Sequence, residues 1–198
     1  MTPEVPWERE EMRSHDEAQT EAFGVALGRF LVGGELVALR GELGAGKTSL
    51  VRGLATGLGI DAAAISSPSF IICRQHHGRR LDLAHIDAWR LAGVEELEGI
   101  GWEELRQRSD LVTAVEWPER IESALPDDRL EVAIQHLSPM ERHIELRGPV
   151  ALIEAWRRHR GAERCRACGA AVATGAATAP FCSRRCQLLD LAGWFAEE

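Results

Sequence analysis

The 198-residue sequence has no tyrosine, one lysine, and no apolar run approaching the roughly 18 residues that a membrane-spanning helix needs. The last of these absences excludes a helical membrane protein. The stretch from Met1 to Arg13 is acidic and lacks the apolar core of a secretory signal, so a cytoplasmic location is expected. Positive charge is also scarce outside the end of the chain. From Arg157 onward seven arginines face four acids, which leaves 16 basic and 27 acidic residues in positions 1–156. A segment of that sign is a poor stand-alone nucleic-acid binder, because neutralised phosphates supply most non-specific affinity. Any RNA contact is therefore expected to run through a protein partner. Cysteine is nearly missing from the first 164 residues: Cys73 stands alone in an apolar run and is expected to be a buried core thiol.

The one lysine, Lys47, falls inside Gly41-Glu42-Leu43-Gly44-Ala45-Gly46-Lys47-Thr48, which is the G-x-x-x-x-G-K-[ST] phosphate loop. The other 22 basic residues are arginine. A compact ammonium fits a tight backbone cradle around a β/γ-phosphate, whereas a planar guanidinium is too large and too delocalised. Glycines let backbone N–H groups converge on phosphate oxygens, and the following helix adds its positive end. Gly44, Ala45, Gly46, Lys47, Thr48 and Ser49 are expected against the phosphates of a nucleotide, with Lys47 across the β- and γ-phosphates and Thr48 holding Mg²⁺.

Hydrophobic periodicity organises the rest. Ser14-His15-Asp16-Glu17 has the form of a capping box, and apolar residues recur at helical spacing behind it until Gly33-Gly34. Leu36 to Leu39 reads as a buried strand feeding the phosphate loop, and Lys47 to about Leu58 as the helix behind that loop. Phe70 to Cys73 and Leu81 to Trp89 suggest two strands joined through His77-Gly78-Arg79-Arg80. Leu111 to Trp117 is a further apolar strand; Leu130 to His136 and His143 to Leu146 suggest a hairpin; Pro149 to about His159 suggests a last helix. Alternating strands and helices with added hairpins predict an α/β domain of the P-loop NTPase kind, three layers around a mixed sheet. Two acids end strands where such sheets place their ligands: Asp87 and Glu116. With Thr48 they are the candidates to surround Mg²⁺, and with Lys47 they are the candidate catalytic residues.

Taken together, Ser14-x2-Glu17-x2-Thr20, Gly41 to Thr48, Val51-Arg52-Gly53, Ser67-Pro68-Ser69-Phe70, His85-Ile86-Asp87-Ala88-Trp89-Arg90-Leu91 and Glu116-Trp117 occur in an order that resembles one family. It is the bacterial P-loop ATPase family TsaE, also called YjeE, which acts in threonylcarbamoyl-adenosine modification of tRNA. The resemblance implies that Thr20 helps hold adenine, that Ser67 to Phe70 form a switch-like loop near the γ-phosphate, and that Trp117 lines the site. It implies the TsaB–TsaD complex as partner, with tRNA met only indirectly. The family usually has threonine at the position of Ser69 and tyrosine at that of Trp89.

The remaining four cysteines form Cys165-x2-Cys168 and Cys182-x3-Cys186, a spacing that reads as a structural Zn²⁺ site closed by four thiolates. Thirty-four residues bury too little surface to fold alone, and zinc binding to such sites supplies about 10–16 kcal/mol. With Pro180-Phe181 and Asp190-Leu191-x2-Trp194-x2-Glu197, this tail resembles YacG, a family of small zinc proteins that bind the B subunit of DNA gyrase and inhibit the enzyme. The expected organisation is an ATPase domain over residues 1–156, a basic linker over 157–164, and a small C-terminal four-cysteine zinc-finger domain over 165–198. Two other readings share some of these features: a small-molecule kinase with Arg79-Arg80 as a lid, and a zinc-dependent nucleic-acid binder built on the C-terminal arginines.

Overall fold

The structure, a computed structural model, describes residues 6–66 and 72–161 together with 184, 185 and 188. The four zinc-site cysteines and the Ser67 to Phe70 loop lie outside the described residues. The chain divides into two units, 1–153 and 154–198, and the first carries the sheet.

Among the described residues seven strands are joined in one mixed sheet: β1 (Trp7–Ser14), β2 (Leu36–Arg40), β3 (Cys73–His76), β4 (Asp82–Asp87), β5 (Leu111–Glu116), β6 (Leu130–His136) and β7 (Arg142–Pro149), in the order β1-β7-β6-β2-β5-β4-β3. The centre is parallel, with β2 between β6 and β5 and with β4 beside β5. Antiparallel pairs flank it on both sides. Leu36 to Leu39 and all six residues of β5 are buried, as expected for strands covered on both faces. The mixed α/β architecture is the one read from the sequence.

Four α-helices accompany the sheet among the described residues: α1 (Glu17–Phe30), α2 (Lys47–Leu58), α3 (Trp102–Gln107) and α4 (Val150–Gly161). Asp16, rather than Ser14, caps α1, accepting the Gln19 N–H at 2.7 Å. The reason is that Ser14 is the last residue of β1, and its hydroxyl donates to the Asp16 carbonyl at 2.6 Å. Helix α4 continues through Arg157 to Arg160, so the first half of the expected basic linker is helical.

Helices α1 and α2 pack unusually closely. Gly24 and Gly28 on α1 meet Gly53 and Gly57 on α2, each pair four residues apart and therefore on one helical face. A Cβ on Gly57 would stand 2.5 Å from the Val25 carbonyl oxygen, and one on Gly53 would overlap the Glu21 carbonyl. Around this contact Leu27, Leu50, Leu54 and Leu58 are fully buried, each worth about 1.5–3 kcal/mol. On the opposite face of the sheet, Ala38, Ile86 and Val115 pack with Leu97, Trp102 and Leu105 from the segment between β4 and β5. Cys73 is half-buried against this core, and burial pushes its thiol up to about 11, out of the reactive range.

Candidate nucleotide site

Because β2, β4 and β5 are parallel, their carboxyl ends share one edge of the sheet, where open α/β sheets place their ligands. The phosphate loop leaves β2 at that edge, and register sets Asp87 directly beside Glu116. A cavity of about 290 Å³ opens there, walled by Gly44, Lys47, Thr48, Asp87, Glu116 and Trp117. A second cavity of about 140 Å³ adjoins it across Gly44, Gly46 and Ser49, and Thr20 lies in its wall.

Gly44 and Gly46 both have positive φ, 78° and 109°, which the loop needs in order to turn its N–H groups. Among the described residues a Cβ on Gly44 would have nothing within 4 Å. Gly46 ends this turn as the left-handed residue before α2, so the helix's free N–H groups begin at the cavity.

Lys47 is 5 % exposed. Its ammonium donates to the Gly41 and Glu42 carbonyls at 2.6 and 2.9 Å and lies 3.8 Å from the centre of the Trp117 ring. Burial lowers its pKa, and the nearby carboxylates of Glu116, Glu119 and Asp87 oppose that shift. Trp117 holds this position in a left-handed conformation, φ 60°, the one non-glycine residue with positive φ among those described. Such strain clusters at functional turns. Trp89 leans on Trp117 at 4.5 Å between ring centres, with the Arg120 guanidinium 5.2 Å from the Trp89 ring. The indole therefore stands at the rim of the cavity.

Thr48 donates its hydroxyl proton to Glu116 Oε1 at 3.1 Å, which leaves the oxygen lone pairs of Thr48 facing the cavity. Asp87 accepts the Trp89 N–H on Oδ1 at 3.1 Å, and among the described residues Oδ2 has no hydrogen-bond partner. Ser49 turns its hydroxyl away from the loop, to Glu17 at 2.8 Å. The Thr20 hydroxyl is shared between Ser14, at 2.7 Å, and the Asp16 carbonyl. Thr20 thus offers the cavity its methyl group, which points toward Gly46.

Two further residues of the site were not assigned a role from the sequence. Arg142, from β7, donates from Nε to the Ala45 carbonyl at 3.0 Å and ties the phosphate loop to the far hairpin. No local pattern links positions 97 residues apart. His85 opens the motif that contains Asp87, and its contact with Glu116 at 2.9 Å follows only from strand register. Among the described residues, Arg80 is not placed as a kinase lid. Arg80 precedes β4 at the edge opposite the phosphate loop, and its guanidinium donates to the Gly28, Leu31 and Gly57 carbonyls, closing the ends of α1 and α2.

Residues 14–144 match the family model described as Threonylcarbamoyl adenosine biosynthesis protein TsaE. The chain belongs to the TsaE family. It is 40 % identical over 131 residues to the tRNA threonylcarbamoyladenosine biosynthesis protein TsaE of Treponema pallidum, covering 66 % of this chain and 95 % of that one. Identity to the Streptomyces coelicolor TsaE is 41 % over 140 residues, covering 67 % and 90 % of the two chains. The crystal structure of Bacillus subtilus YdiB superposes with a TM-score of 0.62 at 28 % identity, covering 78 % of this chain and 98 % of that one. The TsaE match takes in every strand from β2 to β6 and the whole phosphate loop. Residues 163–198 match a second family model, DNA gyrase inhibitor YacG. Among the described residues no helix is long and apolar enough to cross a membrane.

Proposed function

We propose that this TsaE-family chain is the Mg²⁺-dependent ATPase component of tRNA threonylcarbamoyladenosine biosynthesis, acting with TsaB–TsaD in the cytoplasm. The observation that carries the reading is the Thr48–Glu116 hydrogen bond inside a cavity that also presents Lys47 and Asp87. Two carboxylates and one hydroxyl suit Mg²⁺, a hard cation held by oxygen ligands that takes one or two protein carboxylates and completes its shell with phosphates and water. Bound there, Mg²⁺ would neutralise charge on the phosphate oxygens.

In this reading Lys47 holds the β- and γ-phosphates, and the N–H groups from Gly44 to Ser49 hold the remaining oxygens. Thr48 can offer a lone pair to the metal because its proton already belongs to Glu116. Asp87 offers Oδ2, and Glu116, buried and fixed, orients the attacking water. Thr20 and Trp117 shape the walls of the nucleotide pocket. The acidic charge of residues 1–156 suits a protein partner better than direct binding of tRNA.

Glu116→Gln is expected to lower kcat for phosphate release by about 100-fold or more, the range for a lost general base, while Mg-ATP binding changes only a few-fold. Calorimetric titration beside steady-state turnover checks this; unchanged turnover would contradict the assignment of Glu116.

We assign residues 1–156 to the ATPase domain, 157–164 to a linker and 165–198 to a zinc module that contacts the B subunit of DNA gyrase, a reading supported by the YacG match. Cys165, Cys168, Cys182 and Cys186 would be the four ligands. Metal analysis of the purified chain is expected to find about one zinc per chain, lost in Cys165→Ser, since three thiolates no longer close a tetrahedral site. Full zinc content in that variant would exclude the ligand set.

A further inference from the structure

Glu116 is 3 % exposed, and among the described residues both of its side-chain hydrogen-bond contacts fall on one oxygen. Oε1 accepts from Thr48 and contacts His85 Nε2 at 2.9 Å. His85 itself is completely buried on β4, and among the described residues its other ring nitrogen, Nδ1, has no hydrogen-bond partner. An unpartnered buried polar atom is destabilising, because it loses its water without gaining a partner. Leu83, two residues earlier and so on the same face of β4, is equally buried and carries no such penalty. Packing alone would be served by a leucine at position 85 as well.

We propose that His85 is a positioning residue for Glu116: its Nε2–H fixes the carboxylate so that Oε2 is held toward the cavity in one orientation. The proposal rests on the reading of that cavity as the Mg-ATP site. A carboxylate only accepts hydrogen bonds, so the nitrogen facing it carries the proton. Two donors on Oε1, one from α2 and one from β4, define the plane of the carboxylate, which a single donor would leave free to rotate. In that reading the hydroxyl of Thr48 would also hold Mg²⁺, which leaves His85 as the donor whose hydrogen bond serves the carboxylate alone.

The test compares the full chain with His85→Leu, His85→Gln, Glu116→Gln and the His85→Leu/Glu116→Gln double variant. Phosphate release, Mg-ATP affinity and thermal unfolding are measured for each. His85→Leu is expected to lower kcat about 10- to 100-fold, the cost of a misplaced catalytic group, with Kd for Mg-ATP nearly unchanged. His85→Gln, whose amide can still donate to Oε1, recovers most of the loss. In the double variant the effect of His85→Leu disappears, because coupled residues are not additive. Wild-type kcat in a folded His85→Leu, or a further full loss in the double variant, overturns the proposal.

A readout without nucleotide separates this idea from the reading beneath it. Imidazole ¹⁵N spectra of the nucleotide-free wild-type chain should show His85 as the Nε2–H tautomer, and Glu116→Ala should change that signal. An Nδ1–H tautomer, or no response to Glu116→Ala, overturns the positioning role, even if His85→Leu fails to fold. Failure of the wild-type chain to bind Mg-ATP would instead remove the nucleotide reading while the tautomer result still stands.

Discussion

Lys47→Ala is expected to abolish measurable Mg-ATP binding, with a loss of at least about 100-fold, since each charge-assisted contact to phosphate is worth about 1.5–3 kcal/mol. The geometry explains why no other residue takes over. Lys47 is the only lysine, and its ammonium is already aimed at the cavity by the Gly41 and Glu42 carbonyls below it and the Trp117 ring beside it. Lys47→Arg should fail as well. Contacts of 2.6, 2.9 and 3.8 Å enclose a compact ammonium, and a guanidinium would have to displace either the loop backbone or the indole. Isothermal titration with Mg-ATP checks both variants; affinity retained in either would contradict the placement of the phosphates.

The second large effect concerns the helices that carry the site. Gly53→Ala is expected to destabilise the chain by about 3 kcal/mol or more, the upper range for overpacking, and to lower the unfolding temperature by about 6–12 °C. The added methyl would enter the space of the Glu21 carbonyl, which is backbone of α1 and has no rotamer through which to escape. The helices would have to separate, shifting α2 and the phosphate loop that begins it. Gly44→Ala is the informative contrast. Its methyl meets nothing within 4 Å among the described residues, so the fold should bear only the strain of a left-handed residue, about 1–2 kcal/mol, while nucleotide binding weakens. Melting curves of the two variants measure the difference, and an unchanged transition for Gly53→Ala would contradict the close helix contact.

The parts of the fold that could be read from the sequence are those in which local pattern and burial agree. β2, α2 and β5 have apolar runs or glycine punctuation that only one placement satisfies, and the structure has them at Leu36–Arg40, Lys47–Leu58 and Leu111–Glu116. β1 was illegible for a physical reason. Trp7-Glu8-Arg9-Glu10-Glu11-Met12-Arg13-Ser14 has no apolar alternation, and the strand is held at the sheet edge by its backbone pairing with β7, from Trp7 opposite Pro149 to Ser14 opposite Arg142. Charged side chains at such an edge discourage pairing with other chains. That same strand took Ser14 out of the capping position and left the cap to Asp16. Between β4 and β5, glycines at 93, 99 and 101 break the helical period, so the short turns that cover the second face of the sheet had no readable signature.

The site divides in a similar way. Lys47 and Thr48 belong to a contiguous motif, and Asp87 and Glu116 were legible as acids at strand ends, which parallel pairing then brought side by side. His85 and Arg142 act through contacts that depend on strand register and on a distant hairpin, neither of which a linear pattern encodes. The use of the Thr20 hydroxyl within its own cap is likewise a three-dimensional fact, since Ser14 reaches it only because β1 ends where α1 begins.

Assignment of the chain as a partner-coupled ATPase meets its sharpest test in phosphate release from Mg-ATP by the full chain, measured with and without TsaB–TsaD. Mg²⁺-dependent release that changes when the complex is added is the predicted result. Release indifferent to the complex, or transfer of the phosphoryl group to a nucleoside without any partner, would contradict it.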